Sequence, residues 1–140
     1  MSLDSVFSIA GSGMNAQSLR LNTTASNLAN ADAAASSVDE TYRGRHPIFA
    51  SLKDTLSMDS NGNASVGVGV LGIVESDAPL QPRYEPGHPL SNEEGYVFYP
   101  NVNVVEEMTN MISASRSFQI NVEVMNSAKQ MMQRALTLGK

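Results

Sequence analysis

The chain has 140 residues, a net charge of −5 and no cysteine, and only 6% of its residues are aromatic. This length favours a single domain. The negative charge argues against a nucleic-acid partner, which needs a clustered basic face. No stretch approaches the roughly 18 apolar residues of a membrane-spanning helix, so we predict no direct membrane insertion. The lack of cysteine excludes disulfides, thiolate nucleophiles and cysteine metal sites.

The first segment, residues 2–31, predicts a long helix that is low in charge. Gly11 and Gly13 interrupt the pattern, so we expect the helix to bend there or to restart with Ser12 as its N-cap. A helix so rich in Asn, Ser and Thr is weak alone, and we predict that partners fix it. Its core-forming positions recur at alternating steps of four and three, as in a coiled coil: Leu3, Phe7, Ala10, Met14, Gln17, Leu21, Thr24, Leu28 and Ala31.

Residues 33–100 predict a variable loop followed by a β-rich middle region. Residues 46–52 could open a strand, and residues 59–63 contain an Asn-Gly turn signal. Residues 66–75 alternate and then continue as an extended run, which predicts a hairpin or small sheet. Four prolines between residues 79 and 89 exclude regular helix, and residues 95–100 form a short aromatic extended piece.

Residues 104–138 predict a second long helix within a C-terminal region that spans residues 101–140. Asn103 can cap this helix, Glu106 stands at the third helical position, and Gly139 fits the stop. The helix repeats the four-three rhythm: Val104, Met108, Met111, Ser115, Phe118, Val122, Met125, Lys129, Met132 and Leu136. A second apolar stripe runs beside it: Ile112, Ile120, Val124, Met131, Ala135 and Leu138.

These patterns predict a mainly α fold with a small β-rich middle region between two long terminal helices that pair as a coiled coil. Residues 1–32 and 101–140 are the two assembly helices in this interpretation, and residues 33–100 are the middle region. One partner helix does not cover both stripes of the last helix, which indicates assembly with several neighbours rather than catalysis. The alternative is a two-helix hairpin whose second stripe faces the middle region.

The motifs that could carry chemistry are weak. Residues 67–72 match G-x-G-x-x-G, but no helix follows, so we interpret these glycines as strand positions that allow close approach of another backbone. His46 and His88 each stand beside a proline, with no partner at metal-ligand spacing. We therefore predict no enzyme activity, no catalytic, cofactor or metal site, and no small-molecule substrate.

Several stretches carry a family resemblance. Residues 19–31, with Ser26-Asn27-Leu28-Ala29-Asn30 at their core, resemble the N-terminal signature of the flagellar axial proteins, which build the rod, hook and hook-associated structures. Residues 99–108, 111–118 and 128–140 narrow the resemblance to basal-body rod proteins, those of the proximal rod in particular.

The resemblance implies a non-enzymatic subunit of the periplasm-spanning rod, the drive shaft of the flagellum. It implies export from the cytoplasm through the flagellar type III apparatus, without a cleaved signal peptide, and partners that are copies of the chain and other rod proteins. It also implies terminal helices that pair as an inner tube, with the β-rich piece outside. We predict the following assembly interface: Leu3, Phe7, Met14, Leu21, Asn27, Leu28, Asn30, Val104, Met108, Met111, Phe118, Val122, Met125, Met132 and Leu136.

Two alternatives stay open at this point. The chain could be a different axial protein, either another rod subunit or a hook subunit. Less favoured is a cytoplasmic coiled-coil adaptor, which should be ordered and stably oligomeric when isolated.

Overall fold

The computed structural model describes residues 3–53 and 66–138 of the chain. Two long helices enclose a middle region of two small antiparallel sheets, which confirms the predicted mainly helical fold with a small β-rich centre. The elements in chain order are α1 (Leu3–Ala29), β1 (Arg45–Lys53), β2 (Val66–Glu75), β3 (Gln81–Tyr84), β4 (Tyr96–Tyr99) and α2 (Val104–Leu138).

Helix α1 is continuous through Gly11 and Gly13, so the expected restart at Ser12 does not occur. The Ser12 hydroxyl instead donates to the carbonyl of Ile9, one turn earlier, at 2.8 Å. Gly13 has a packing reason: a Cβ there would lie 2.9 Å from Nδ2 of Asn121 on α2. A missing side chain therefore lets the two helices approach each other, which offsets the low helix propensity of glycine.

Helix α2 has the bounds that the sequence predicted. The Asn103 side-chain oxygen accepts hydrogen bonds from the backbone N–H groups of Val105, at 3.1 Å, and Glu106, at 3.4 Å. It thereby satisfies two of the donors that a helix start leaves unpaired. At about 1.5 Å per residue, α2 is about 50 Å long. The predicted stop at Gly139 lies outside the described residues.

Strands β1 and β2 form a long antiparallel ribbon that lies against α1. Its register runs from Arg45 opposite Glu75 to Lys53 opposite Val66, with a bulge at Ile48. The connection between the strands, which includes the predicted Asn-Gly turn, lies outside the described residues. The ribbon touches α1 closely because Gly67 has no side chain: a Cβ there would lie 3.0 Å from the Ser12 hydroxyl.

Strands β3 and β4 form the second ribbon, with Gln81 opposite Tyr99 and Tyr84 opposite Tyr96. The sequence predicted β4 but not β3, because the prolines around it were interpreted only as excluding helix. A two-stranded ribbon consists of edge strands, where proline is tolerated. Gly95, just before β4, has φ +84°, a backbone conformation that residues with a Cβ rarely adopt.

The two terminal helices pack against each other in antiparallel orientation. The Cβ position of Gly11 meets the methyl group of Met125, and Arg20 donates to the side-chain oxygen of Asn110 at 3.0 Å. The buried apolar side chains are mostly small: Ala10, Ala16, Ala31, Val97, Val102, Ala114 and Ala128. Small side chains permit close helix contact but bury little apolar area, so this fold leaves most of its large apolar groups partly or wholly exposed.

The two glycines of α1 predict opposite responses to substitution. In Gly11→Ala the new methyl group meets Met125 at an ordinary contact distance, so the gain in helix propensity should raise the free energy of unfolding by about 0.5–1 kcal/mol. Gly13→Ala should lower it by about 1 kcal/mol, because the same methyl group would lie 2.9 Å from Nδ2 of Asn121 and force that side chain to shift. Urea titrations followed by circular dichroism measure both changes. Equal effects at the two sites would contradict the close approach at Gly13.

Candidate assembly surface

The side of α2 that packs on α1 is lined by small and polar residues as well as large apolar ones. Ala114 and Ala128 are completely buried on it. The full inner seam repeats at steps of four and three: Glu107, Met111, Ala114, Phe118, Asn121, Met125 and Ala128. The predicted seam of α2 shares Met111, Phe118 and Met125 with it. Sequence reasoning missed Ala114 and Ala128 because it followed large apolar side chains, whereas close helix packing selects small ones.

Two buried oxygen atoms in the helix pair have no hydrogen-bond donor within the described part of the chain. They are Oε1 of Gln17 and Oε2 of Glu107. A buried acceptor without a partner costs about 1–3 kcal/mol, and the buried alanines repay little of this by apolar burial. The contact between α1 and α2 is therefore close, and these two acceptors subtract from the stabilisation that it provides.

Asn27 of α1 joins the helix pair to the β1–β2 ribbon. Its side chain is 1% exposed, and its amide nitrogen donates to the backbone carbonyl of Arg45 at 2.8 Å. Its oxygen accepts from the backbone N–H of Arg45 and from the hydroxyl of Tyr42, each at 2.9 Å. The carboxamide thus pairs with Arg45 through both backbone groups, as a neighbouring strand would, and fixes where β1 leaves the helix.

Asn101, just before α2, holds the other side of the same segment. Its oxygen accepts from the N–H of Gly44 at 2.8 Å, and its nitrogen donates to the carbonyls of Ala78 at 2.8 Å and Ser76 at 3.1 Å. Residues 44 and 45 therefore lie between two asparagine side chains, one from α1 and one from the segment just before α2. We name this arrangement the asparagine clamp, meaning Asn27, Asn101 and the backbone of residues 44–45.

The clamp was not predicted from the sequence. Asn27 belongs to the predicted assembly interface, and within the single chain its side chain bonds to Tyr42 and Arg45. Asn101 was missed, although its place between Pro100 and the start of α2 is a signal for an ordered loop asparagine. Tyr42 and Arg45 were also missed, because neither lies in a periodic segment.

The outer side of α2 is apolar and uncovered in the single chain. Val105 is 73% exposed, and Ile120 is 59% exposed. From Lys129 to Thr137 every side chain is exposed, including Met132 and Leu136, which lie five turns after Ala114 and Phe118 on the line of the inner seam. We divide the exposed apolar residues of the outer side into a first patch and a second patch that lie on opposite flanks of the helix. The first patch contains Val104, Val105, Met108 and Ile112, and the second contains Ile120, Val124 and Met131.

The predicted interface residues divide between the inner and outer sides. Asn27 is buried, and four residues are exposed: Val104, Met108, Met132 and Leu136. The following are half-buried: Phe7, Met14, Leu21, Leu28, Asn30, Met111, Phe118, Val122 and Met125. The side chain of Leu3 lies outside the described part. Most of the predicted set is thus at least half-buried in the single chain, and the second stripe supplies four of the seven residues of the two patches.

The motifs singled out for chemistry have structural surroundings. The glycines of residues 67–72 lie in β2; Gly67 approaches the side chain of Ser12, Gly69 that of Leu52, and Gly72 has open space around it. Within residues 3–53 and 66–138, no group of three or more acidic or histidine side chains is placed to hold a metal ion. No helix in those ranges is long and apolar enough to cross a membrane.

Comparison with known proteins gives the same class for both ends of the chain. A family model described as "Flagella basal body rod protein" matches residues 7–34, and one described as "Flagellar basal body rod FlgEFG protein C-terminal" matches residues 93–138. The flagellar basal-body rod protein FlgC of Salmonella typhimurium is 48% identical over the full length of both chains. The chain belongs to the FlgC family of flagellar basal-body rod proteins. FlgC of Escherichia coli O157:H7 is 49% identical over both full lengths.

A more distant relative shows how far the similarity extends. FlgC of Borreliella burgdorferi is 38% identical, with 99% of this chain and 98% of its own length covered. The match therefore includes the middle region as well as the two helices. Membership of the FlgC family decides against the alternative of a hook subunit or a different rod subunit.

The clamp predicts a large effect from one carboxamide. Asn27→Ala should lower the free energy of unfolding by about 2–3 kcal/mol, because it leaves both backbone groups of Arg45 without their partner. The matched control is Asn22→Ala, since Asn22 is an exposed asparagine of the same helix. Urea titration of both variants measures the difference. A loss at Asn27 no greater than at Asn22 would show that the clamp does not stabilise the fold.

Proposed function

We propose that this FlgC-family chain is built into the flagellar rod through the outer face of α2, while its α1–α2 pair and clamp remain intact within each subunit. The observation that carries the proposal is the contrast between the two sides of α2. Its inner side, which faces α1, is close-packed, and its outer side exposes large apolar residues along the helix. Exposed apolar patches of this kind mark surfaces that other proteins cover.

The size of the patches supports attachment through several contacts at once. Burying a large apolar side chain completely contributes about 1.5–3 kcal/mol, so a half-exposed one has about 1 kcal/mol left to gain. Neither patch, with four residues in the first and three in the second, exceeds by itself an association cost of at least about 4 kcal/mol. The two patches must therefore be covered together, and this makes incorporation at the end of a growing rod more favourable than pairing in solution.

The position of the patches supports an open polymer. Because they lie on opposite flanks of α2, one neighbouring helix does not cover both, and each subunit needs at least two neighbours. Contacts between different surfaces give an open helical array when the rotation between neighbours does not close into a ring. Torque would then pass between subunits through α2, and within each subunit through the inner seam and the clamp.

We infer a structural role without catalysis, in a rod that spans the periplasm, with copies of the chain and other rod proteins as neighbours. Delivery through the flagellar type III export apparatus, without a cleaved signal peptide, belongs to the same proposal. The alternative of a cytoplasmic coiled-coil adaptor requires a stable oligomer of the isolated chain.

Charge placed on the outer face should prevent incorporation without unfolding the subunit. Ile120→Asp and Ile112→Asp each put a carboxylate into an apolar patch, where its burial against a neighbour would be costly. We expect loss of swimming and absence of the chain from isolated basal bodies in cells that carry only the variant.

The matched controls add the same charge away from both patches. Asn15→Asp and Asn22→Asp change exposed polar residues of α1, and both should swim. Circular dichroism of the purified variants checks that the helix content is unchanged. Normal swimming of both isoleucine variants would contradict the proposal, and a stable oligomer of the isolated chain would favour the adaptor.

A further inference from the structure

The methionine side chains of the chain differ in how much of their surface is exposed. There is no cysteine, so all sulfur is in the eight methionines. Met108 is 51% exposed and Met131 is 54% exposed, while Met14, Met111 and Met125 are half-buried. Met132 is 37% exposed. Met1 and Met58 lie outside the described residues.

Each of the two outer patches contains one of the most exposed methionines. Met108 lies in the first patch beside Val105 and Ile112, and Met131 lies in the second patch with Ile120 and Val124. Met125 differs from them, because its terminal methyl group packs over Gly11 within the helix pair. The thioethers that a dissolved oxidant reaches most easily are therefore those on the outer face.

We propose that Met108 and Met131 are the fastest peroxide-oxidation sites among the methionines of residues 3–53 and 66–138 in the folded, unassembled chain, and that their oxidation makes both outer patches unfit for docking. A lone pair of the thioether sulfur attacks one oxygen of hydrogen peroxide or an organic hydroperoxide. The S–O bond forms as the O–O bond breaks, so sulfur loses two electrons. The departing oxygen takes up a proton and leaves as water, or as an alcohol from an organic hydroperoxide.

The product is a methionine sulfoxide, which is polar and chiral where the thioether was apolar. A sulfoxide oxygen buried against an apolar neighbour has no hydrogen-bond donor, so the patch that carries it loses part of its gain on docking. The consequence for assembly rests on the proposed function of the outer face. The sites of oxidation do not, because they follow from exposure in the single chain.

Peptide mass spectrometry after a timed exposure of the purified chain to hydrogen peroxide tests the sites. We expect Met108 and Met131 to gain oxygen several-fold faster than Met14, Met111 and Met125. In the urea-unfolded chain the rates should become alike, which assigns the ranking to the fold. Equal rates in the folded chain, or faster oxidation of the half-buried methionines, would overturn the proposal.

Conservative and polar substitutions test the consequence. The double variant Met108→Leu/Met131→Leu should swim normally and lose the two fast oxidation events. The double variant Met108→Gln/Met131→Gln, which imitates the polarity of the sulfoxide, should swim poorly although it folds. Normal swimming of the Gln variant would overturn the docking consequence if Ile120→Asp is non-motile. Normal swimming of both would instead reject the proposed function of the outer face, while the mass spectra would still decide the oxidation sites.

Discussion

The carboxamide of Asn27 connects the parts of this molecule. Through three hydrogen bonds, two of them to the backbone of Arg45, it fixes the start of the β1–β2 ribbon against α1. Asn101, immediately before α2, accepts a hydrogen bond from the backbone N–H of Gly44, the residue next to Arg45. The ribbon, the connecting loop and both helices thus meet at residues 44–45. The junction matters most for the ribbons, because isolated two-stranded ribbons are marginally stable.

The inner seam and the outer face of α2 differ in the residue types that line them and in how far those residues are buried. The inner side combines glycine and alanine, which permit a close antiparallel approach, with the half-buried side chains of Met111, Phe118 and Met125. The outer side keeps valine, isoleucine and methionine exposed. A contiguous exposed set of large apolar side chains is unusual for a protein that acts alone. The arrangement is reasonable for a subunit whose large apolar side chains are to be buried by its neighbours.

The long elements were predictable from the sequence because their signals are local. The cap at Asn103 and the alternation of residues 66–70 act within a few residues, and they gave the start of α2 and the first half of β2. The clamp was not predictable in the same way, since it depends on contacts between residues far apart in the chain, such as Asn101 and Gly44. Gly13 was misread for the same reason: its explanation is Asn121, more than one hundred positions away. The predicted seam on α2 followed large residues and so combined the inner side with one flank.

The central claim is that the outer face of α2 is open in the free subunit and covered in the rod, while the inner side is closed in both. The absence of cysteine permits a direct test with single-cysteine variants and a maleimide reagent. Ile120→Cys should react rapidly in the purified chain and become protected in isolated basal bodies, and Ala114→Cys should be protected in both. Equal reactivity of Ile120→Cys in the free chain and in the basal body would contradict the account.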